Sequence, residues 1–455
     1  MKFNIISIFF LLFLYQNTAE AIVITGKITD SKNEALSFVT IYVKNTTIGT
    51  TSNAAGNYTL DLPKGDYDLV FQYVGYKSKV EHISLQNKAL HLDVVLQAEE
   101  LLLSEVTIKA NAEDPAYRII RNAIKQRKSR LKAVQNSECD VYIKGNQKIK
   151  NAPEKIMGRD LGDLGGGLDS TRTGIVYLSE SVSKLYFEQP ERFKEIMTSS
   201  KVAGNDNGFS FNQAQAMNFN FYQNELDFQK KLVSPIADDA LAYYKYELIN
   251  SFRDKDNRLI SKIKVNPKNE YGPIFGGFIY IIEDEWAIYS IDLYVTKSAT
   301  GVEVLDTLHI KQTHLATANN SSPTPLTSSA AAISLQKSTN WLLFQQIIWF
   351  NIKVLKIETN GVFTAVFSNY KLNQDLPKGF FTPEILKVEK EANEKTKMYW
   401  DSIRPMPLTV EEQLDYAKKD SLKTIRTGKH YLDSMDARRN KFTALSLLVD
   451  RKSVV

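Results

Sequence analysis

The sequence predicts a mainly β protein, in which an N-terminal β-sandwich precedes a larger, curved antiparallel β domain with flanking α-helices. Three observations predict it. Short runs of alternating apolar and polar residues recur between residues 22 and 109, and further alternating runs continue to about residue 375. Helical periodicity is clearest in a segment between the two β regions and in another after residue 376.

The composition excludes several classes of protein. Of 455 residues, 43% are hydrophobic and 24% are charged, which is typical of a globular chain. The formal net charge of +5 is too small for its length to indicate a nucleic-acid-binding surface. The single cysteine, Cys139, rules out an intramolecular disulfide and a cysteine-rich zinc site. With five histidines as well, these counts point away from an enzyme.

Residues 1–21 are predicted to be a secretory signal peptide. Lys2 provides a short positive region, an apolar run follows from Ile5, and Ala19-Glu20-Ala21 forms a small-residue cleavage site. A buried core helix is the alternative. The apolar run is too short to span a membrane as a helix. The mature chain would then start near Ile22, in the periplasm or at the outer membrane.

The segment 22–109 is predicted to be the β-sandwich. Its apolar residues follow a period of two, for example Val39, Ile41 and Val43, and turn-forming clusters separate the runs. Six or seven short strands at such spacing indicate two packed sheets, because one sheet could not bury both of its faces.

Four motifs in this segment resemble carboxypeptidase-regulatory-like domains: Ile24–Asp30, Val39–Val43, Asn53–Tyr58 and Tyr73–Tyr76. The resemblance implies a transthyretin-like, seven-stranded Greek-key sandwich; a generic immunoglobulin-like sandwich is the alternative. Gly56 and Gly75 fall where a turn or bulge requires positive φ.

A linker helix is predicted within residues 110–135. Asp114 can cap it, Pro115 suits its first turn, and the apolar residues share one face. The basic residues opposite are interpreted as a solvated face rather than a binding patch: Lys125, Arg127, Lys128 and Arg130.

Residues 136–375 are predicted to form the second β domain. Residues 275–282 and 286–295 form one hairpin, and residues 243–249 and 259–265 form another. An uncharged stretch rich in Ala, Ser and Thr interrupts the domain at 315–336, and is predicted to be a loop or disordered insertion.

A helical segment is predicted at 376–440. Thr382-Pro383 resembles a helix start, and that helix should end before Arg404. Thr409-Val410-Glu411-Glu412 has the pattern of a capping box, which predicts a second helix from there to about Met435.

Residues 399–409 and 419–422 are similar to a family of Gram-negative envelope proteins of unknown function, whose members begin with this sandwich and end in an outer-membrane barrel. The expectation is that this chain stops where the barrel would begin. A closed barrel needs at least about eight strands of about ten residues, so the tail at 441–455 could hold only its truncated start.

Catalytic, cofactor-binding and metal-binding residues are not predicted anywhere in the chain. His309 and His314 are five residues apart in an alternating strand, so their side chains should face opposite sides. Acidic neighbours make Cys139 a poor thiolate. Asp254–Asn257 lacks the glycine and glutamate of a calcium loop, so it is interpreted as a turn.

The predicted function is a non-enzymatic envelope binding or assembly module, forming the periplasmic part of an outer-membrane protein. One alternative is a transport-receptor component, since residues 103–108 resemble a segment with which such receptors engage an energy-transducing partner; the same residues could be the last strand of the sandwich. A lipid or lipoprotein carrier and an enzyme are the others. The expected partner is a protein, glycan or lipid of the envelope, since the abundant Tyr and Phe could form either core or a binding face.

Overall fold

The computed structural model describes residues 21–99, 113–156, 159–204, 212–318, 339–354, 357–429 and 433. These residues confirm a mainly β protein with flanking helices. Residues 1–20 of the predicted signal peptide, residues 103–108, residues 319–336 of the predicted insertion and the tail at 441–455 lie outside the described ranges.

The N-terminal region is a sandwich of two four-stranded sheets. Its eight strands are β1 Ile22–Asp30, β2 Thr40–Val43, β3 Gly49–Thr51, β4 Asn57–Leu62, β5 Gly65–Gln72, β6 Lys79–Leu85, β7 Leu90–His91 and β8 Val94–Leu96. One sheet has the order β4-β1-β7, with β8 also paired to β1, and the other has the order β3-β2-β5-β6. The count exceeds the predicted seven because two short strands, β7 and β8, pair in parallel with β1.

The sandwich core lies between its two sheets, where Ile24, Ile41 and Phe71 are fully buried. Gly56 and Gly75 adopt positive φ values of 81° and 90°, as predicted. A Cβ atom at Gly56 would lie 2.6 Å from the carbonyl oxygen of Ile28, so the turn also needs glycine for space.

The second region is built on an eleven-stranded sheet with the order β16-β17-β18-β19-β20-β21-β22-β9-β12-β13-β23. Its strands are β9 Asn136–Lys150, β12 Gly174–Glu188, β13 Arg192–Val202, β16 Tyr244–Arg253, β17 Leu259–Pro267, β18 Gly276–Ile282, β19 Ala287–Thr296, β20 Leu305–Ala318, β21 Thr339–Val354, β22 Ile357–Leu372 and β23 Leu386–Val388. Every neighbouring pair is antiparallel except β13 and β23. Both predicted hairpins are present, as β16–β17 and β18–β19.

Smaller elements complete the fold. Two short hairpins pair β10 Lys155–Ile156 with β11 Arg159–Asp160, and β14 Glu225–Asp227 with β15 Lys231–Val233. The α-helices are α1 Pro115–Leu131, α2 Ala240–Tyr243, α3 Lys297–Thr300, α4 Lys397–Ile403 and α5 Val410–Thr427, and a 3₁₀ turn spans Leu164–Gly166.

The large sheet has two faces with different coverings. On the helix face, Ile263, Ile279 and Leu293 pack against Ile119 and Ile120 of α1 and against the segment 221–240. On the sandwich face, the sandwich packs over the middle strands, where Tyr42 and Val70 contact Leu315, Phe344 and Val366. Helix α5 packs on the same face, beside β12.

The structure confirms the predicted cap of α1, because Asp114 Oδ1 accepts a hydrogen bond from the backbone N–H of Ala116 at 2.8 Å. The predicted solvated basic face is wrong at Arg127, which is 3% exposed and donates to the carbonyl oxygen of Tyr222. The cause is helical spacing: Arg127 lies four and seven residues after Ala123 and Ile120, so it points into the core with them.

Two further predictions are corrected. Residues 386–388 form strand β23 rather than the helix expected from Thr382-Pro383, because they pair with β13, where Glu195 N–H donates to Ile385 O at 2.7 Å. The predicted insertion begins too early. Residues 315–318 complete β20, and Leu315 is buried against the sandwich.

Among the described residues, no helix has the length and apolar character needed to cross a membrane.

Candidate functional site

A cleft of about 420 Å³ lies where the sandwich, the large sheet and the C-terminal segment meet. It is lined by Thr59 and Asp61 of the sandwich, Asp140 and Lys184 of the sheet, and Ser402 of α4. The lining combines apolar side chains with these polar ones and carries both signs of charge. Burial raises the pKa of Asp61. Lys184 is paired with Asp140, at 2.9 Å between Nζ and Oδ1.

The Glu180–Arg404 pair is the most buried charge pair beside this cleft. The Arg404 side chain lines the cleft and is 8% exposed, whereas Glu180 is fully buried. Arg404 donates from Nε to Glu180 Oε1 at 2.6 Å and from Nη2 to Oε2 at 2.9 Å. Although burial opposes the charge, these hydrogen bonds and the Glu180 carboxylate raise the pKa of Arg404. Tyr142 donates to the same carboxylate at 2.8 Å.

The second pair joins helix α5 to strand β9. Lys144 Nζ lies 2.9 Å from Glu412 Oε2, and both side chains are almost fully buried. Glu412 also completes the predicted capping box, because Oε2 accepts the backbone N–H of Thr409 at 2.8 Å. Burial would raise the pKa of Glu412, but the Lys144 charge together with the hydrogen bonds from Lys144, Thr409 and Asn146 outweighs it and holds that pKa below its usual range.

A third buried pair lies one turn further along α5. Lys419 Nζ contacts Asp415 Oδ2 at 2.8 Å and donates to the carbonyl oxygen of Ile175 at 2.7 Å. Burial raises the pKa of Asp415 in spite of this partner. The first two pairs and the hydrogen bond from Lys419 to Ile175 therefore attach the C-terminal segment to one face of the sheet.

The residues Arg404–Pro407 also fasten the sandwich. Thr50 donates its hydroxyl hydrogen to the carbonyl oxygen of Pro405. Asn53 Nδ2 donates to the carbonyl oxygen of Pro407 at 3.1 Å. One short stretch of chain thus bridges the sandwich and the sheet, and we call it the bridge.

The cysteine is buried, and the two strand histidines differ in their exposure. Cys139 is buried in the sheet, and burial raises the pKa of its thiol. His309 is exposed on the sandwich face, whereas His314 is buried and burial lowers its pKa to about 4. Groups of three or more His, Cys, Asp or Glu arranged to hold a metal ion do not occur in the described ranges.

The helix face bears on the lipid-carrier alternative, which requires an apolar cavity that stays open. In the part of the chain that the structure describes, this face is packed with side chains of α1 and of the segment 221–240, including Phe221, Leu232 and Ile236. The segment 214–219 extends the packing toward β9 and β22. The apolar surface here is therefore protein core.

Sequence reasoning found the capping box but missed the partners of its charges. Lys144, Asn146 and Lys148 share one side of β9, and this polar alternation in a β domain is the only local signal of a paired surface. Glu180 carries no comparable signal, because its partner is 224 residues away.

Comparisons with known proteins match two parts of the chain. Residues 24–108 match the CarboxypepD_reg-like domain, and residues 119–331 match DUF5686, a family of unknown function. A TonB-dependent receptor from Formosa agariphila is 33% identical over 86 residues, which are 19% of this chain and 8% of the receptor. The chain therefore spans only a small part of that relative.

The similarity of this chain to solved structures is weaker. A DUF1329 family protein from Desulfovibrio piger has a TM-score of 0.25 at 11% identity, covering 60% of this chain and 100% of that one. A putative outer membrane lipoprotein-sorting protein domain from Vibrio parahaemolyticus has a TM-score of 0.22 at 9% identity, covering 59% and 97%. These scores do not establish a shared fold. By its family matches, the chain joins a CarboxypepD_reg-like domain to a domain of the DUF5686 family, whose function is unknown.

Proposed function

We propose that the protein is a non-enzymatic binding or assembly module of the Gram-negative cell envelope, and that it acts as the periplasmic part of an outer-membrane protein. The observation that carries this proposal is the bridge, which holds the sandwich and the large sheet together through Pro405 and Pro407. Such fastening suits a scaffold that presents fixed surfaces to a partner. The similarity of 86 residues of this chain to part of a TonB-dependent receptor supports the envelope location.

The charges beside the cleft support a structural role. Glu180 is saturated by Arg404 and Tyr142, and Lys184 is paired with Asp140. A general acid or base needs a proton that it can exchange with a substrate. Here Glu180 and Asp140 are engaged by cations of the same chain, which supports a structural role for these two carboxylates.

The location is tested by fractionation of cells that express the protein with a C-terminal tag. We expect the tagged chain in the periplasmic or outer-membrane fraction, with a mature N-terminus near Ile22. A chain that keeps Met1 and stays in the cytosolic fraction would overturn the envelope proposal.

The non-enzymatic role is tested by replacing the buried pair with apolar residues. Glu180→Leu combined with Arg404→Met removes both charges while keeping the side chains large, a change that buried pairs tolerate well. We expect this folded double variant to complement a deletion strain as well as the wild type does, whichever envelope phenotype the deletion produces. Failure of a correctly folded, correctly located double variant would show that the pair performs chemistry.

A further inference from the structure

A row of aromatic side chains crosses the sandwich face of the large sheet beside the sandwich. Tyr294 of β19, His309 of β20 and Trp349 of β21 are register partners, so they stand side by side on three neighbouring strands. Trp349 meets Phe38 of the sandwich edge-on, with ring centroids 6.0 Å apart, and this contact fixes the face on which the row lies. Two strand spacings, or about 10 Å, separate the first ring from the last.

The aromatic row is open to solvent and lies flat. Tyr294 is 37% exposed, His309 is exposed and Trp349 is half-buried. A Cβ atom built on Gly276 would lie 2.5 Å from Tyr294 Cζ, so the phenol end of the ring leans over this glycine on the neighbouring strand. The His309 ring lies beside it, with centroids 5.8 Å apart and planes inclined at 40°. The row therefore offers ring faces rather than ring edges to a ligand.

A second row, of uncharged polar side chains, runs alongside the first. Each of its members is in register with the next and points to the same face as the rings: Thr296, Thr307, Asn351 and Asn360. The amides of Asn351 and Asn360 are exposed and make no hydrogen bond to another described residue. We call these four residues, with Tyr294, His309 and Trp349, the aromatic shelf.

The aromatic shelf contains no carboxylate and no ammonium group of its own. Three pairs of opposite charges border it: Lys353 with Glu358, Lys148 with Glu411, and Lys311 with Asp292. A charged ligand would meet groups that already face their opposites, so it would gain little attraction for the water it loses. The surroundings of the shelf favour an uncharged ligand.

The two rows together match the chemistry of a sugar ring. The face of an aromatic ring carries negative charge and attracts C–H bonds, which a sugar ring presents on its own faces. Asparagine and threonine side chains both donate to and accept from hydroxyl groups, which a sugar carries around its rim. A lipid chain in the same place would cover the amides without pairing them, at a cost in free energy.

We propose that the aromatic shelf binds a neutral, linear polysaccharide, with sugar rings against Tyr294 and Trp349 and hydroxyl groups bonded to Asn351 and Asn360. This inference rests on the proposed binding role and names its partner class. Because the row spans three strands, a chain of several sugars should bind at least about tenfold more tightly than a single sugar.

The test uses purified mature protein and four neutral, linear hexasaccharides, built from β-linked glucose, α-linked glucose, β-linked mannose and β-linked xylose. Binding calorimetry and tryptophan fluorescence should detect at least one of them at concentrations up to about 10 mM. Trp349→Phe should abolish the fluorescence change, because the buried Trp341 and Trp400 do not meet the ligand. Affinity should change less than about twofold between about 50 mM and about 500 mM NaCl, since the ligand is uncharged.

Paired variants locate the site. Tyr294→Ala with Asn351→Ala should weaken binding at least about tenfold, whereas Met398→Ala with Asn87→Ala, a similar truncation at exposed positions elsewhere, should leave it unchanged. Tyr294→Phe alone keeps the ring and should retain binding. Thermal unfolding of each variant checks that it is folded.

Three results would overturn the shelf: no binding of any of the four hexasaccharides, equal losses in the two double variants, or an affinity that falls about tenfold across the salt range. None of them affects the location of the protein in cells, so a failure of the shelf can be told apart from a failure of the proposed function.

Discussion

The helix face of the large sheet is covered by apolar side chains, whereas its sandwich face adds buried ion pairs and hydrogen bonds to distant parts of the chain to an apolar contact with the sandwich. On the helix face, Ile279 and Leu293 meet Ile119 and Ile120 of α1. On the sandwich face, Glu180 meets Arg404 and Lys144 meets Glu412. Aliphatic packing tolerates many partners of suitable volume, but a buried charge tolerates only its opposite. The second face therefore specifies which segments may cover it.

The largest expected loss of stability comes from a substitution of Arg404. Arg404→Met leaves the fully buried Glu180 without its cation, which should lower the free energy of unfolding by about 3–5 kcal/mol. Glu180→Leu with Arg404→Met should recover most of that loss, because no lone charge remains. Urea unfolding of the three proteins measures both steps. If Arg404→Met were as stable as the wild type, the Glu180–Arg404 pair would not stabilise the contact between the C-terminal segment and this face.

The matching change on the helix face is Ile279→Ala. It removes three methyl or methylene carbons from a fully buried side chain and should cost about 2–5 kcal/mol, through lost transfer energy and the cavity left behind. Ile279→Leu keeps the volume and should cost less than about 1.5 kcal/mol. If Ile279→Leu lowered the free energy of unfolding as much as Ile279→Ala does, the shape of the side chain rather than its volume would determine the packing on this face.

A pH dependence separates the two strand histidines. The folded pKa of His314 is about 4, and its ordinary value is 6.5, so the unfolded chain binds the proton more readily. The stabilisation is complete above pH 6.5 and is lost as the pH falls from 6.5 toward 4, at up to about 1.4 kcal/mol per pH unit.

Two variants test whether His314 causes this pH dependence of stability. His314→Gln should flatten the decline in stability between pH 6.5 and pH 4, whereas His309→Gln, at the exposed histidine of the same strand, should keep it. Thermal unfolding across that range measures the slopes. Equal slopes in the wild type and the His314 variant would contradict the assignment.

The smallest effect concerns the start of α5. Thr409→Ala removes the hydroxyl that accepts from the backbone N–H of Glu412, and should cost about 1 kcal/mol. Thr409→Ser keeps the hydroxyl and should be close to the wild type. A cost much above this value would mean that the loss also disturbs the Lys144–Glu412 pair, which a double-mutant cycle with Lys144→Met would detect.

The sequence predicted the elements that depend on local pattern. The β18–β19 hairpin, the Asp114 cap and the Thr409 capping box are all found as expected, since each is encoded within a few residues. Strand β23 was missed because its conformation depends on pairing with β13. The charge of Arg127 predicts an exposed side chain, but its position on the helix, on the same side as Ile120 and Ala123, buries it.

The candidate site was largely beyond sequence reasoning. Glu412 was identified as a capping residue, but its partner Lys144 is 268 residues away. The faces of the large sheet show a different limit. Alternation in β17 places Lys262 and Lys264 on one side of the strand, yet only the sheet order shows which distant strands share that side.

The bridge has a consequence for the order of events as the chain folds. Its contact between Thr50 and Pro405 joins residues 355 positions apart, so it closes a very long loop. The sandwich is built from contacts within its own residues and can form early, whereas its docking must wait until Arg404 has emerged and met Glu180. During that interval Glu180 and the cleft are open to solvent. A newly made chain would therefore pass through a stage of two separate folded parts, when a chaperone or protease could reach surfaces that the finished molecule hides.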